Sequence, residues 1–192
     1  ETVNEELVPL VPPAVIAPFY KREMDEWVAL GVTTVSSRLG GSYITAYAYM
    51  DRQGQLPLRL AYSHEGGRLN PFLERYLRRF GGIQGHGTDR MWMIGISIGN
   101  PDGDPPGAPH GRGGGKCTTL IKSRLVAGDA YGLEGLCNWD EPMDPSAEAP
   151  AIVNRYGYRI AGVHNLGDKA VLLSLESYER ANRESSIVDK RF

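Results

Sequence analysis

No stretch of this chain approaches the ~20 apolar residues that a membrane-spanning helix requires, so no span is expected. No basic segment followed by an apolar one opens the sequence, which removes the pattern of a secretory leader. Cysteine is nearly absent, with Cys117 and Cys137 alone. That scarcity excludes the multi-disulfide framework of small secreted domains. Both cysteines lie in apolar-rich segments, so they are read as two reduced core thiols of a cytoplasmic protein. A secreted protein is the alternative if the pair is bonded. Excess positive charge is also missing. With 21 Lys and Arg against 23 Asp and Glu, there is no excess to neutralise phosphates and no nucleic-acid partner is expected. The four histidines, His64, His86, His110 and His164, include no two at metal-ligand spacing, so no metal site is expected. No internal repeat is visible.

What is present fits one globular domain: 192 residues, 41% hydrophobic, with 24 glycines and 13 prolines that imply many loops. Residues 1–12 read as an extended lead-in and 184–192 as a frayed tail. The chain starts at Glu1 and not Met, and so is expected to have been cut from something longer. Apolar residues recur at helical spacing over 13–30, with Pro13 suited to a first turn and Gly31 to a stop. Trp27, Phe19 and Tyr20 on this helix are more than one core needs, and a homodimer contact is expected there.

Tyr43-Ile-Thr-Ala-Tyr-Ala-Tyr49 alternates, which predicts a strand. Asp51-Arg-Gln-Gly54 then predicts a hairpin turn, and 56–62 a return strand. A helix follows over 70–81, opened by Asn70 and Pro71 and closed by Gly81. The apolar run 91–98 predicts a buried strand. Residues 99–116 form a long Gly/Pro-rich loop. A second hairpin is predicted over 118–139 around Gly128-Asp129, then a helix from 144 toward 161 weakened by Gly157. A last strand is read within 163–175, and a short helix over 177–183. The expected fold is α+β, one central antiparallel sheet of about six strands with helices packed on one face and an N-terminal helix.

The first hairpin, running from Ile44 through the Asp51-to-Gly54 turn to His64, resembles that of GAF-type sensory domains. The stretch from Thr119 to Pro142, with its Gly128 turn, Tyr131-Gly132 step and Asn138, is similar to the closing strands of that family. The resemblance implies a non-catalytic regulatory module that binds a small organic ligand and signals through its terminal helices. It names no cofactor: the family's cyclic-nucleotide signature and its tetrapyrrole-holding Cys-His pair are both absent.

Candidate ligand residues are the phenols Tyr43, Tyr47, Tyr49 and Tyr62, which offer flat apolar area and orienting hydroxyls. Arg68, Asn70 and Arg75 are suited to an anionic group on the ligand. The phenols equally serve cross-strand packing, and Arg75, Arg78 and Arg79 equally form a solvated face paired with Glu74. Residues 110–117 carry glycines and Lys116 but lack the terminal Ser or Thr of a phosphate-binding loop. Asn100, Asp102 and Asp104 alternate as calcium ligands do, yet Pro105 stands where that loop needs glycine. Catalysis is left open. The alternative function is a processed secreted effector or toxin-type hydrolase, using either Cys117 as nucleophile with His164 or His110 as base, or histidine acid–base pairs, His64 with Glu65 or His86 with Asp89. A third reading is a structural subunit of an assembly.

Overall fold

A computed structural model describes residues 11–66, 72–99, 101–102, 117, 137 and 145–190. Helix α1 (Pro13–Ala29) begins on Pro13 as expected and carries Pro18 inside it. Strand β1 (Thr34–Leu39) leads to α2 (Gly41–Arg52), β2 (Arg59–Glu65), α3 (Leu73–Phe80) and β3 (Met91–Ser97). The later described elements are a 3-10 turn (Pro145–Glu148), α4 (Ala149–Arg155), β4 (Ile160–Gly162) and α5 (Asp168–Glu184), with a second 3-10 turn at Val188–Lys190.

Among the described residues the strands form a four-stranded sheet in the order β1-β2-β3-β4, all parallel. Register runs from Thr34 opposite Arg59 to Leu39 opposite His64, and Ile96 lies opposite Ile160. This overturns the antiparallel α+β expectation and the sensory module built on it. Parallel neighbours need a long crossover between them, and α2 and α3 are such crossovers. The predicted hairpin over 118–139 lies outside the described residues except for Cys137.

The correction turns on α2. Tyr43 and Tyr47 match the alternation of a strand, but they also stand four residues apart, and the buried set is Ala46, Tyr47 and Met50. That spacing belongs to a helix face. Thr45 Oγ1 donates to the Gly41 carbonyl at 2.8 Å, one turn back. What resembled a hairpin turn is a helix stop. Gln55 N–H donates to the Met50 carbonyl (2.8 Å) and Gly54 N–H to that of Asp51 (2.9 Å), with Gly54 at φ 66°. This pair of bonds is the glycine-closed helix terminus in which a left-handed residue turns the chain back. Gly157 (φ 80°) closes α4 with the same two bonds, from Tyr158 to Val153 and from Gly157 to Asn154. It therefore ends a helix and does not weaken one.

The predicted strand within 163–175 is instead the start of α5. Its buried stripe is small and polar: Ala170, Ser174, Ser177 and Ala181. The apolar residues that mimicked a strand, Val171, Leu172 and Leu175, are exposed.

The chain divides into two compact units, residues 1–65 with 83–95 and residues 66–82 with 96–192. In the first, α1 and α2 pack over a core of Ala17, Met24, Leu39, Tyr47, Met50, Leu56, Leu58, Leu60 and Met91. Tyr20, Tyr43, Tyr49, Tyr62 and Trp27 pack against that core, while Phe19 stays exposed. In the second, Leu73, Leu77, Ile96, Ile98, Val153, Tyr158, Ile160, Ala170 and Ala181 are buried. The Tyr158 hydroxyl donates to the Gly81 carbonyl, where α3 ends.

Tyr20 stacks 5.3 Å from both Tyr43 and Tyr47. Burial, first of all, pushes the Tyr20 and Tyr47 hydroxyls up to about 12 from an ordinary 10.0. Unfolded tyrosines ionise first, so the stability these two supply is whole below pH 10.0 and is lost as pH rises toward 12. A tyrosinate absorbance titration of the folded chain is expected to show a late-ionising fraction that disappears in denaturant. A single transition at the ordinary value in both states contradicts this packing.

Candidate functional site

In an open parallel sheet, ligands are taken beyond the carboxyl ends of the strands, where loops carry polar groups off a rigid scaffold. The second unit places two such groups there. Beyond the end of β3 the chain passes buried Ile98 and reaches Asp102, which is 6% exposed. The Ile98 N–H donates to the Gly162 carbonyl at 3.1 Å, so the extension of β3 stays joined to the last residue of β4. Two residues past β4 stands His164, its side chain 46% exposed.

Asp102 is held from several sides. Its Oδ1 accepts the N–H groups of Cys117 (3.0 Å) and Gly167 (3.3 Å), and its Oδ2 that of Leu166 (2.7 Å). His164 Nδ1 lies 3.5 Å from Oδ2. The carboxylate thus organises the loop from β4 to α5, whose backbone donors converge on it. Ser174 of α5 fixes the same loop by donating to Asn165 Oδ1 at 2.9 Å. Gly167 lies so close to Cys117 that a Cβ there would overlap the Cys117 oxygen. That oxygen in turn accepts the Ala170 N–H at 3.0 Å, in the first turn of α5.

Cys117 is bonded to Cys137, and Cys137 pairs with Asp102 in an isolated antiparallel bridge. The expectation of two reduced core thiols is corrected. With its sulfur in a disulfide, Cys117 has no thiolate to offer, and its candidacy as a nucleophile falls.

Of the remaining predicted residues, the four tyrosines come together on the core of the first unit. Tyr43, Tyr47 and Tyr49 lie on helix α2, not on a strand, and Tyr62 lies on β2. Tyr47 is part of the core of the first unit and the other three pack against it. Arg75 is exposed on α3 beside a network in which Tyr156 donates to Glu74 Oε1 (2.9 Å) and Arg78 Nε to the Tyr156 hydroxyl (2.8 Å). Arg68, Asn70 and His110 lie outside the described residues. His64 ends the register of β2 opposite Leu39, and burial lowers its pKa against an opposing hydrogen bond with the Glu65 backbone.

No family model matches the chain, and no curated protein does. Two solved structures are similar to it. One is an uncharacterized metal-dependent hydrolase from Pyrococcus horikoshii OT3, with a TM-score of 0.66 and 18% identity over 94% of this chain. The other is an uncharacterized metal-dependent hydrolase from Pyrococcus furiosus, with a TM-score of 0.64 and 17% identity over 94% of this chain. The likeness is one of fold. The chain spans 32% and 34% of the lengths of those two proteins.

Both of those proteins are named as metal-dependent. Among the described residues, no three His, Cys, Asp or Glu side chains gather into a metal-holding group. Asp102, the buried carboxylate near His164, already spends both oxygens on backbone donors. The described residues by themselves therefore make up no metal centre.

Proposed function

We propose that the chain carries acid–base machinery of a hydrolase, with His164 as the proton-transfer group and Asp102 as its positioning partner. The observation that supports this is a buried, backbone-anchored carboxylate facing the ring nitrogen of a half-exposed histidine, just past the carboxyl ends of two parallel strands. The similarity in fold to two proteins named as hydrolases points the same way.

The chemistry follows from the geometry. Asp102 faces Nδ1 and thereby assigns the work to Nε2 on the other side of the ring. Nε2 takes a proton from water as the water oxygen attacks an electrophilic carbon or phosphorus. The imidazolium formed is stabilised by the Asp102 carboxylate and returns the proton to the leaving group. A 3.5 Å separation is long for a hydrogen bond. Catalytic pairs are commonly loose without substrate and tighten when it binds.

The full chain is therefore expected to hydrolyse p-nitrophenyl acetate or bis-p-nitrophenyl phosphate above the rate of buffer. His164→Ala is expected to lower kcat/KM by a factor of about 10² to 10⁴, while Arg155→Ala, on the outer surface of α4, leaves it unchanged. Equal rates for the parent and His164→Ala contradict the proposal.

A further inference from the structure

The disulfide does not sit apart from the proposed site. Cys117 gives its N–H to Asp102 Oδ1, and Cys137 pairs with Asp102 through the backbone. The Cys117 oxygen accepts from Ala170 at the start of α5, and the Cys117 backbone is the wall against which Gly167 packs. One covalent link thus fixes a donor to the carboxylate, an acceptor for the helix and a steric stop for the loop that carries His164. We propose that the Cys117–Cys137 disulfide positions Asp102 and the loop from β4 to α5, so that the arrangement of the Asp102–His164 pair depends on the oxidation state of the two cysteines. The consequence for catalysis rests on the hydrolase reading; the consequence for the loop does not.

The reaction is thiol–disulfide exchange with a dithiol. The Cys117–Cys137 bond takes up two electrons and two protons and becomes two thiols, while the dithiol closes to its own cyclic disulfide. Without the bond, nothing covalent keeps the Cys117 backbone against Asp102 and Gly167. The Leu166, Gly167 and Ala170 N–H groups then open to water more often. Cys117 and Cys137 are positioning residues here, since neither touches the reacting atoms.

The test is amide hydrogen exchange on the full chain, oxidised and then reduced with dithiothreitol, with the Cys117→Ser/Cys137→Ser double variant alongside. Exchange at Leu166, Gly167 and Ala170 is expected to rise by about tenfold or more on reduction and in the double variant, which itself ignores dithiothreitol. The Tyr158 N–H, bonded to Val153 in the same unit, serves as the reference and is expected to stay protected. Unchanged exchange at the three amides overturns the proposal. So does an equal rise at Tyr158, which makes the disulfide a general staple. Hydrolysis of p-nitrophenyl acetate by the double variant, free of thiols, is expected to fall in step with the lost protection. If the amides respond while the oxidised chain shows no His164-dependent hydrolysis, positioning by the disulfide stands and the hydrolase reading alone fails.

Discussion

Replacing Asp102 by alanine is expected to be among the most damaging single changes in the second unit, with a loss of about 3 kcal/mol or more. The carboxylate is the acceptor for three backbone N–H groups, those of Cys117, Leu166 and Gly167. A buried donor left without an acceptor costs about 1–3 kcal/mol, and part of the sum is recovered where the loop relaxes toward water. Asp102→Asn keeps the shape but not the chemistry. The donors approach both oxygens, so either orientation of the carboxamide turns its NH2 against an N–H. The orientation that keeps Cys117 and Gly167 bonded sacrifices Leu166. Thermal unfolding is expected to show a clearly lowered midpoint for both variants, and hydrogen exchange a selective loss at Leu166 in Asp102→Asn. A parent-like midpoint for Asp102→Ala contradicts the role given to this carboxylate.

Gly167→Ala is expected to have an effect of similar size for a different reason. Its φ of −94° is open to any residue, so the demand for glycine is steric and not conformational. An added Cβ overlaps the oxygen and carbonyl carbon of Cys117 and meets its nitrogen at 3.1 Å. These are backbone atoms, and Cys117 is tied by its disulfide and by Asp102. Neither side retreats cheaply, and a cost of about 3 kcal/mol follows, at the upper end of the range for overpacking. At this chain length that is a fall of about 6–12 °C in Tm. Gly82→Ala is the matched control, because a Cβ there meets nothing within 4 Å. Equal midpoints for the two variants contradict the close packing of Gly167 on Cys117.

The elements with unambiguous ends are legible in the sequence. Pro13 and Gly31 bracket α1, Gly81 ends α3, and the apolar run of β3 has no competing period. Pattern and structure part where two periods coincide. Tyr43, Tyr47 and Tyr49 share one face at period two, but Tyr43 and Tyr47 are also four apart, and burial of Ala46, Tyr47 and Met50 decides for the helix. Reading α2 as a strand removes the crossover between β1 and β2 and turns a parallel sheet into a hairpin. In α5 the large apolar residues face outward while alanines and serines are buried, the reverse of the rule by which helix faces are read.

The candidate site is half legible for the same reason. His164 stands out by its residue type. Asp102 stands out only as one oxygen of a calcium pattern that Pro105 breaks. The two meet because β3 and β4 run parallel side by side, a relation that no local pattern encodes. The step from a strand to histidine, then glycine, then a helix start at 160–168 is the available signal, and it is visible only once α5 is read as a helix.

The most direct test of the Asp102–His164 assignment is chemical rescue. His164→Ala is made in the full chain, and p-nitrophenyl acetate hydrolysis is followed as imidazole is added. A depressed rate is expected that imidazole restores saturably, by about tenfold or more over its effect on the parent, because a ring nitrogen beside Asp102 is the missing proton carrier. An equal, linear response to imidazole in both proteins, with equal starting rates, contradicts it.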